Sequence, residues 1–242
     1  MNIEELLSEL REIHALEVKA RDFYEVKLRR FNDPAIVKAL SKIRQDEEGH
    51  IQIASELINM IEEYKPEDFI LKEALTTFTD KSVFLLVLNV ESYQKISTAT
   101  LKYLVNQKGF RCLYIAVNKP SSTLSEIYKT EGINVDALSF IDCSVMDTGS
   151  GYPTVNPENL TELSISISTL LKQMSEPRYI HLDSVSALYI FNQSDKVEAF
   201  TQFLIRKLKA EKAGLILVSV KKEVDEKSLQ RLRSFCDRAL EL

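Results

Sequence analysis

Apolar residues recur along the chain with two different periods, and the change falls near residue 78. Over residues 2–31, Leu10, Glu17, Tyr24 and Phe31 follow one another every seven residues, beside Leu6, Ile13 and Ala20. That spacing is one face of an α-helix. Asn32, Asp33 and Pro34 then interrupt it, and Asp33 predicts an N-cap with Pro34 as the first residue of a second helix. The second helix runs to about Tyr64, with Ile36, Ile43, His50 and Leu57 alternating with Leu40, Glu47, Ala54 and Ile61. Both sets have the a/d spacing of packed helices. A shorter helix over about 66–77 leads out of this region. Beyond Asp80 the apolar runs are short and nearly continuous: "SVFLLVLNV" at 82–90, "RCLYIAV" at 111–117, "LSFID" at 138–142, "RYIHLD" at 178–183, "GLILVSV" at 214–220 and a weaker "RALEL" at 238–242. Such runs suit strands buried on both faces. Helical spacing lies between most of them, over 93–107, 121–131, 158–174, 195–211 and 226–235.

The fold class that follows is α + α/β. An antiparallel helical hairpin occupies residues 1–78, and a mostly parallel sheet with helices on both faces occupies 79–242.

Composition narrows the function. The 242 residues, 45% hydrophobic, suffice for one large domain or two small ones. A formal charge of −5 gives no reason to expect nucleic acid as a partner. No run of 18 apolar residues exists, so no membrane span is expected, and "MNIEELLSELREIH" lacks the apolar core of a signal peptide. The three cysteines, Cys112, Cys143 and Cys236, form no CxxC pair and read as small buried hydrophobes in a reducing cytoplasm.

Candidate chemistry begins where the hairpin breaks its own pattern. Glu17, Glu47 and His50 occupy apolar seam positions. A lone ionised carboxylate buried there would cost several kcal/mol or be neutralised. Glu17 and Glu47 lie about fifteen residues either side of the turn between Asn32 and Asp33, which at 1.5 Å per residue sets them at one level. His50 is one helical step from Glu47 on the same face. Two carboxylates and an imidazole suit a first-row metal such as iron, manganese or zinc. The alternative is a metal-free dimerisation hairpin whose polar layer fixes register.

Glu17 and Tyr24, seven apart, followed by "EEGH" with Glu47 and His50, resemble the ferritin-like family that includes rubrerythrins and bacterioferritins. The resemblance covers about residues 6–63, half of a four-helix domain, and no second Glu-x-x-His helix follows. It implies that two hairpins pair as a homodimer and duplicate Glu17, Glu47 and His50 into the ligand set of a di-metal carboxylate centre, with Tyr24 as a hydrogen-bonding neighbour. His14, one turn before Glu17, is a further candidate ligand. Iron, with oxidase, peroxidase or iron-sensing activity, is what the resemblance implies.

The second half, from "KSVFLLVLNVESYQKISTATLKYLVNQKGFRCLYIAVNKP" to the tail "VSVKKEVDEKSLQRLRSFCDRALEL", resembles the RecA/KaiC-like ATPases, its archaeal members in particular. "YIHLDSVSAL" then corresponds to the Walker B strand, with Asp183 in the acidic position. A Walker A loop needs glycines and a Lys-Ser/Thr pair to wrap phosphate. The corresponding "NVESYQKISTAT" has no glycine, Lys95 is followed by Ile96, and Glu91 repels an anion. Asn118, Lys119 and Pro120 replace the acidic pair after the second strand. ATP is therefore not expected as a cofactor. Asp183 is a nucleotide-site remnant, or an aspartate capping the next helix. The only glycine-rich segment, "MDTGSGYPTV" with Gly149 and Gly151, reads as a surface loop, and His181 as a core or strand-face residue. The expectation is a cytoplasmic metal-binding hairpin joined to a KaiC-like pseudo-ATPase. Its rival is a metal-free dimeric scaffold whose pseudo-ATPase domain binds a protein partner.

Overall fold

The computed structural model describes residues 3–63, 66–144 and 151–242. Gly149 and the first half of its glycine-rich segment lie outside the described residues, as does Tyr64 at the expected end of the second helix. The chain divides into two compact units, Met1–Phe69 and Ile70–Leu242.

The first unit is a helical hairpin of α1 (Ile3–Leu28) and α2 (Pro34–Glu63). Asp33 caps α2 as its position predicts: Oδ1 accepts from the backbone N–H of Ala35 at 2.8 Å and of Ile36 at 3.2 Å. Cross-helix ion pairs run Arg44–Glu25 at 3.7 Å and Arg21–Glu48 at 3.8 Å, so the helices are antiparallel.

α3 (Pro66–Thr76) straddles the division. Its later residues Leu71, Ala74 and Leu75, with Phe78 beyond it, are buried in the core of the second unit. The boundary expected near residue 78 accordingly moves into α3, because these apolar residues face the sheet.

The second unit contains β1 (Val83–Leu88), α4 (Val90–Leu101) continued by a π-helical stretch at Lys102–Gln107, β2 (Arg111–Ala116), α5 (Ser121–Thr130) and β3 (Leu138–Asp142). Then come α6 (Leu160–Leu171), β4 (Arg178–Asp183), α7 (Val185–Phe191), α8 (Ser194–Ala210), β5 (Ala213–Val220), α9 (Glu226–Phe235) and β6 (Arg238–Glu241). The six strands form one sheet in the order β3-β2-β4-β5-β1-β6, and every pairing is parallel. This is the parallel sheet covered by helices that the alternating pattern predicts.

Alternation along β1 shows how both faces fill. Val83, Leu85 and Val87 enter a core shared with α6, α7, α8 and α9, whereas Phe84, Leu86 and Leu88 enter one shared with α3, α4 and α5. Close approach fixes one glycine: a Cβ on Gly214 would lie 2.7 Å from the Phe78 ring and 2.8 Å from the Thr79 carbonyl oxygen.

α7 starts directly after β4 and has no counterpart in the sequence reading. Its cap also corrects that reading: Ser184, not Asp183, accepts from the Ala187 N–H at 3.1 Å. No helix among the described residues is long and apolar enough to cross a membrane.

Candidate metal centre

Antiparallel packing of α1 on α2 brings Glu17, Glu47 and His50 together, as their heights along the hairpin predict. His50 Nδ1 is 3.7 Å from an Oε2 of both Glu17 and Glu47. One donor atom from each residue lies within 4.8 Å of the others. The carboxylates are half-buried, with side chains 26% and 17% exposed, while His50 is 58% exposed. Hydrogen bonding with the Glu17 carboxyl raises the Glu47 carboxyl above its ordinary range; burial and the Glu17 charge push the same way, and His50 opposes them. Two acids at this separation compete for one proton, and a cation relieves the same conflict.

Of the other residues singled out, His14 is not one of this group. Tyr24 is half-buried on α1, and its ring meets Phe23 edge-on at 5.5 Å. Among the described residues no hydrogen bond joins it to the three donors within one chain.

Burial corrects the a/d reading. Ile13, Phe31, Ile36, Ile43 and Leu57, all seam positions, are exposed in the single hairpin. Leu16, Phe23, Ile53 and Met60 are exposed as well, Leu16 at 63%. Two helices share one line of contact, which is too narrow to cover stripes this wide.

In the α/β unit, the parallel strands end on a common edge, where ligands of open α/β sheets bind. The stretch expected to correspond to a phosphate loop is not a loop. β1 ends at Leu88, Asn89 is the cap, and α4 begins at Val90. One residue joins strand to helix, leaving no backbone to wrap a phosphate, and Glu91 stands exposed in the first turn.

Asp183, at the end of β4, is almost fully buried. Its two oxygens accept hydrogen bonds from Tyr93 Oη and Tyr114 Oη, and Tyr128 Oη donates to Tyr114 Oη at 2.8 Å. Burial raises the Asp183 carboxyl, opposed by the two phenols and by Lys119. The phenols of Tyr93, Tyr114 and Tyr128 are pushed well above their ordinary value by burial, so they stay protonated donors. Sequence reasoning missed all three tyrosines, whose apolar neighbours hide them in strand and helix patterns.

His181 is a buried core residue, as read from its strand. It stacks on Tyr114 with ring centres 4.9 Å apart, its Nε2 is 3.2 Å from Ser97 Oγ, and burial lowers it to about 3, so it is neutral. Cys112 and Cys143 are buried free thiols, each pushed up to about 12 by burial. Within the α/β unit, a groove of about 700 Å³ runs between α6 and α8, lined by Leu160, Ile165 and Phe203 with Lys196 and Lys207.

No protein-family model matches this chain, and no curated protein matches it. Among solved structures it is similar to the crystal structure of a KaiC-like protein from the hyperthermophilic archaeon Pyrococcus horikoshii, with a TM-score of 0.48 and 10% identity over 67% of this chain and 72% of that one. The fold class itself rests on the fully parallel order of the six strands and the helices covering both faces.

Proposed function

We propose that the hairpin binds a first-row divalent metal, iron in the first instance, through Glu17, Glu47 and His50. The observation that carries this reading is the convergence of the three donors within 4.8 Å. The donor set fits: two carboxylates and one imidazole are hard-to-intermediate ligands, and the raised Glu47 carboxyl beside Glu17 marks a place where positive charge is wanting. Three protein donors leave an ion short of a full shell, and a second copy of the hairpin supplies three more. The exposed apolar residues flanking the donors support that homodimer, in which the hairpins would pair as a ferritin-like four-helix bundle. Bound there, iron would supply one-electron chemistry toward dioxygen or peroxide; Glu17 and Glu47 hold the charge, and His50 supplies the nitrogen.

The α/β unit, in this reading, is a KaiC-like pseudo-ATPase that serves as a platform for a protein partner. The one-residue link from β1 to α4, which leaves no loop for a phosphate, supports the pseudo-ATPase part of it.

Metal analysis of protein prepared with iron or manganese tests the first part. About one metal ion per chain is expected, as in a di-metal site shared by two chains, with loss in Glu47→Ala and in His50→Ala. Wild-type protein that stays dimeric and metal-free sinks the metal reading. It favours instead the metal-free scaffold, for which the exposed His50 and the uncovered apolar face already speak.

A further inference from the structure

We propose that the carboxylate at the end of β4 is a locked cation site: Tyr93 and Tyr114 occupy both oxygens of Asp183, so the α/β unit holds one state and takes no magnesium–nucleotide. This rests on the reading of that unit as a pseudo-ATPase and says what closes it. An aspartate at this edge serves magnesium only with an oxygen lone pair facing open solvent. Asp183 is turned away from solvent: it is 5% exposed, one oxygen already accepts from Tyr93 in the first turn of α4, and the other from Tyr114 on β2.

The closure spreads beyond one carboxylate. Tyr128 on α5 donates to Tyr114, and Lys119 after β2 is tied to Gln94 of α4 at 2.9 Å. Asn118 donates to Ser184 Oγ at 3.1 Å, Ser184 and Ser186 hydroxyls lie 2.9 Å apart, and Ser186 donates to Glu223 at 2.7 Å while accepting from the Val220 N–H at 3.1 Å. The ends of β1, β2, β4 and β5 are thus joined by hydrogen bonds that need no ligand. Displacing the phenols would strand buried polar groups, which is costly. In this chain the edge is held by its own side chains rather than by a ligand.

The test uses the full chain carrying Glu47→Ala, so that a cation at the hairpin contributes nothing to the signal. Thermal unfolding is followed with and without millimolar magnesium and ATP. The lock predicts no shift with wild-type Tyr93, a fall in Tm of roughly 3–8 °C for Tyr93→Phe, and a magnesium-dependent rise in Tyr93→Ala that disappears in Tyr93→Ala/Asp183→Asn. A magnesium–ATP shift with Tyr93 intact, abolished by Asp183→Asn, overturns both the lock and the pseudo-ATPase reading. An unchanged Tm in Tyr93→Phe overturns the lock alone, and a Tyr93→Ala protein that folds but ignores magnesium removes the cation site from it. If Tyr93→Ala does not fold, the Tyr93→Phe measurement decides.

Discussion

At the scale of single residues, the chemistry of this protein turns on charges that have no room to repel. Glu47 sits beside Glu17, and its carboxyl is raised. A raised acid in the folded state contributes stability that is fully present below the unfolded carboxylate value and is lost as pH rises through the folded one. In metal-free protein, Glu47→Gln should therefore melt higher than wild type at neutral pH, with the gap closing as pH falls into the carboxylate range. Differential scanning calorimetry across that range reads the sign. Added iron should reverse the order, because glutamine cannot supply the charge. Gly214→Ala makes a second prediction at this scale. Its methyl would press on Phe78 and the Thr79 carbonyl, and overpacking of this kind costs about 1–3 kcal/mol, visible as a lower denaturant midpoint with an unchanged slope.

At the scale of elements, most of the chain was legible. Strands buried on both faces leave uninterrupted apolar runs, and β1 through β6 lie where those runs fall. Helix ends were legible where a side chain caps them, as at Asp33, and Asp33→Ala should cost about 1 kcal/mol of hairpin stability. Amide hydrogen exchange in the first turn of α2 would report that loss locally. Legibility failed where contacts outside the element decide. α7 is a seven-residue helix buried through its first four residues, Val185 to Leu188, and too short to show a period. The a/d positions of α1 and α2 were readable as a stripe, but the stripe does not say which residues one partner helix covers. Ile36, Ile43 and Leu57 prove to be exposed.

At the scale of the whole molecule, the uncovered apolar residues of the hairpin make the strongest demand. Leu16, Phe23 and Met60, with Ile13, Ile53 and Leu57, stand exposed on the two helices, and large apolar side chains uncovered along a hairpin mark an interaction surface. Leu16→Glu combined with Phe23→Glu should convert a dimer to a monomer in size-exclusion chromatography with light scattering. The near-ultraviolet signal of the tyrosine-rich α/β core should not change. A double variant that remains dimeric would place the interface elsewhere. The same variant should bind less metal, since each chain then offers three donors only.

The sequence by itself determined the two periods, hence a hairpin followed by a parallel sheet, and the three polar residues that interrupt the hairpin's stripe. Those are local properties, set by residues two, three or four positions apart. Tertiary structure alone decided that β1 lies between β5 and β6, that the hairpin's stripe is half uncovered, and that two phenols close on Asp183. The phenol contacts join residues 90 and 69 positions apart, and no period along a chain records a hydrogen bond over that distance.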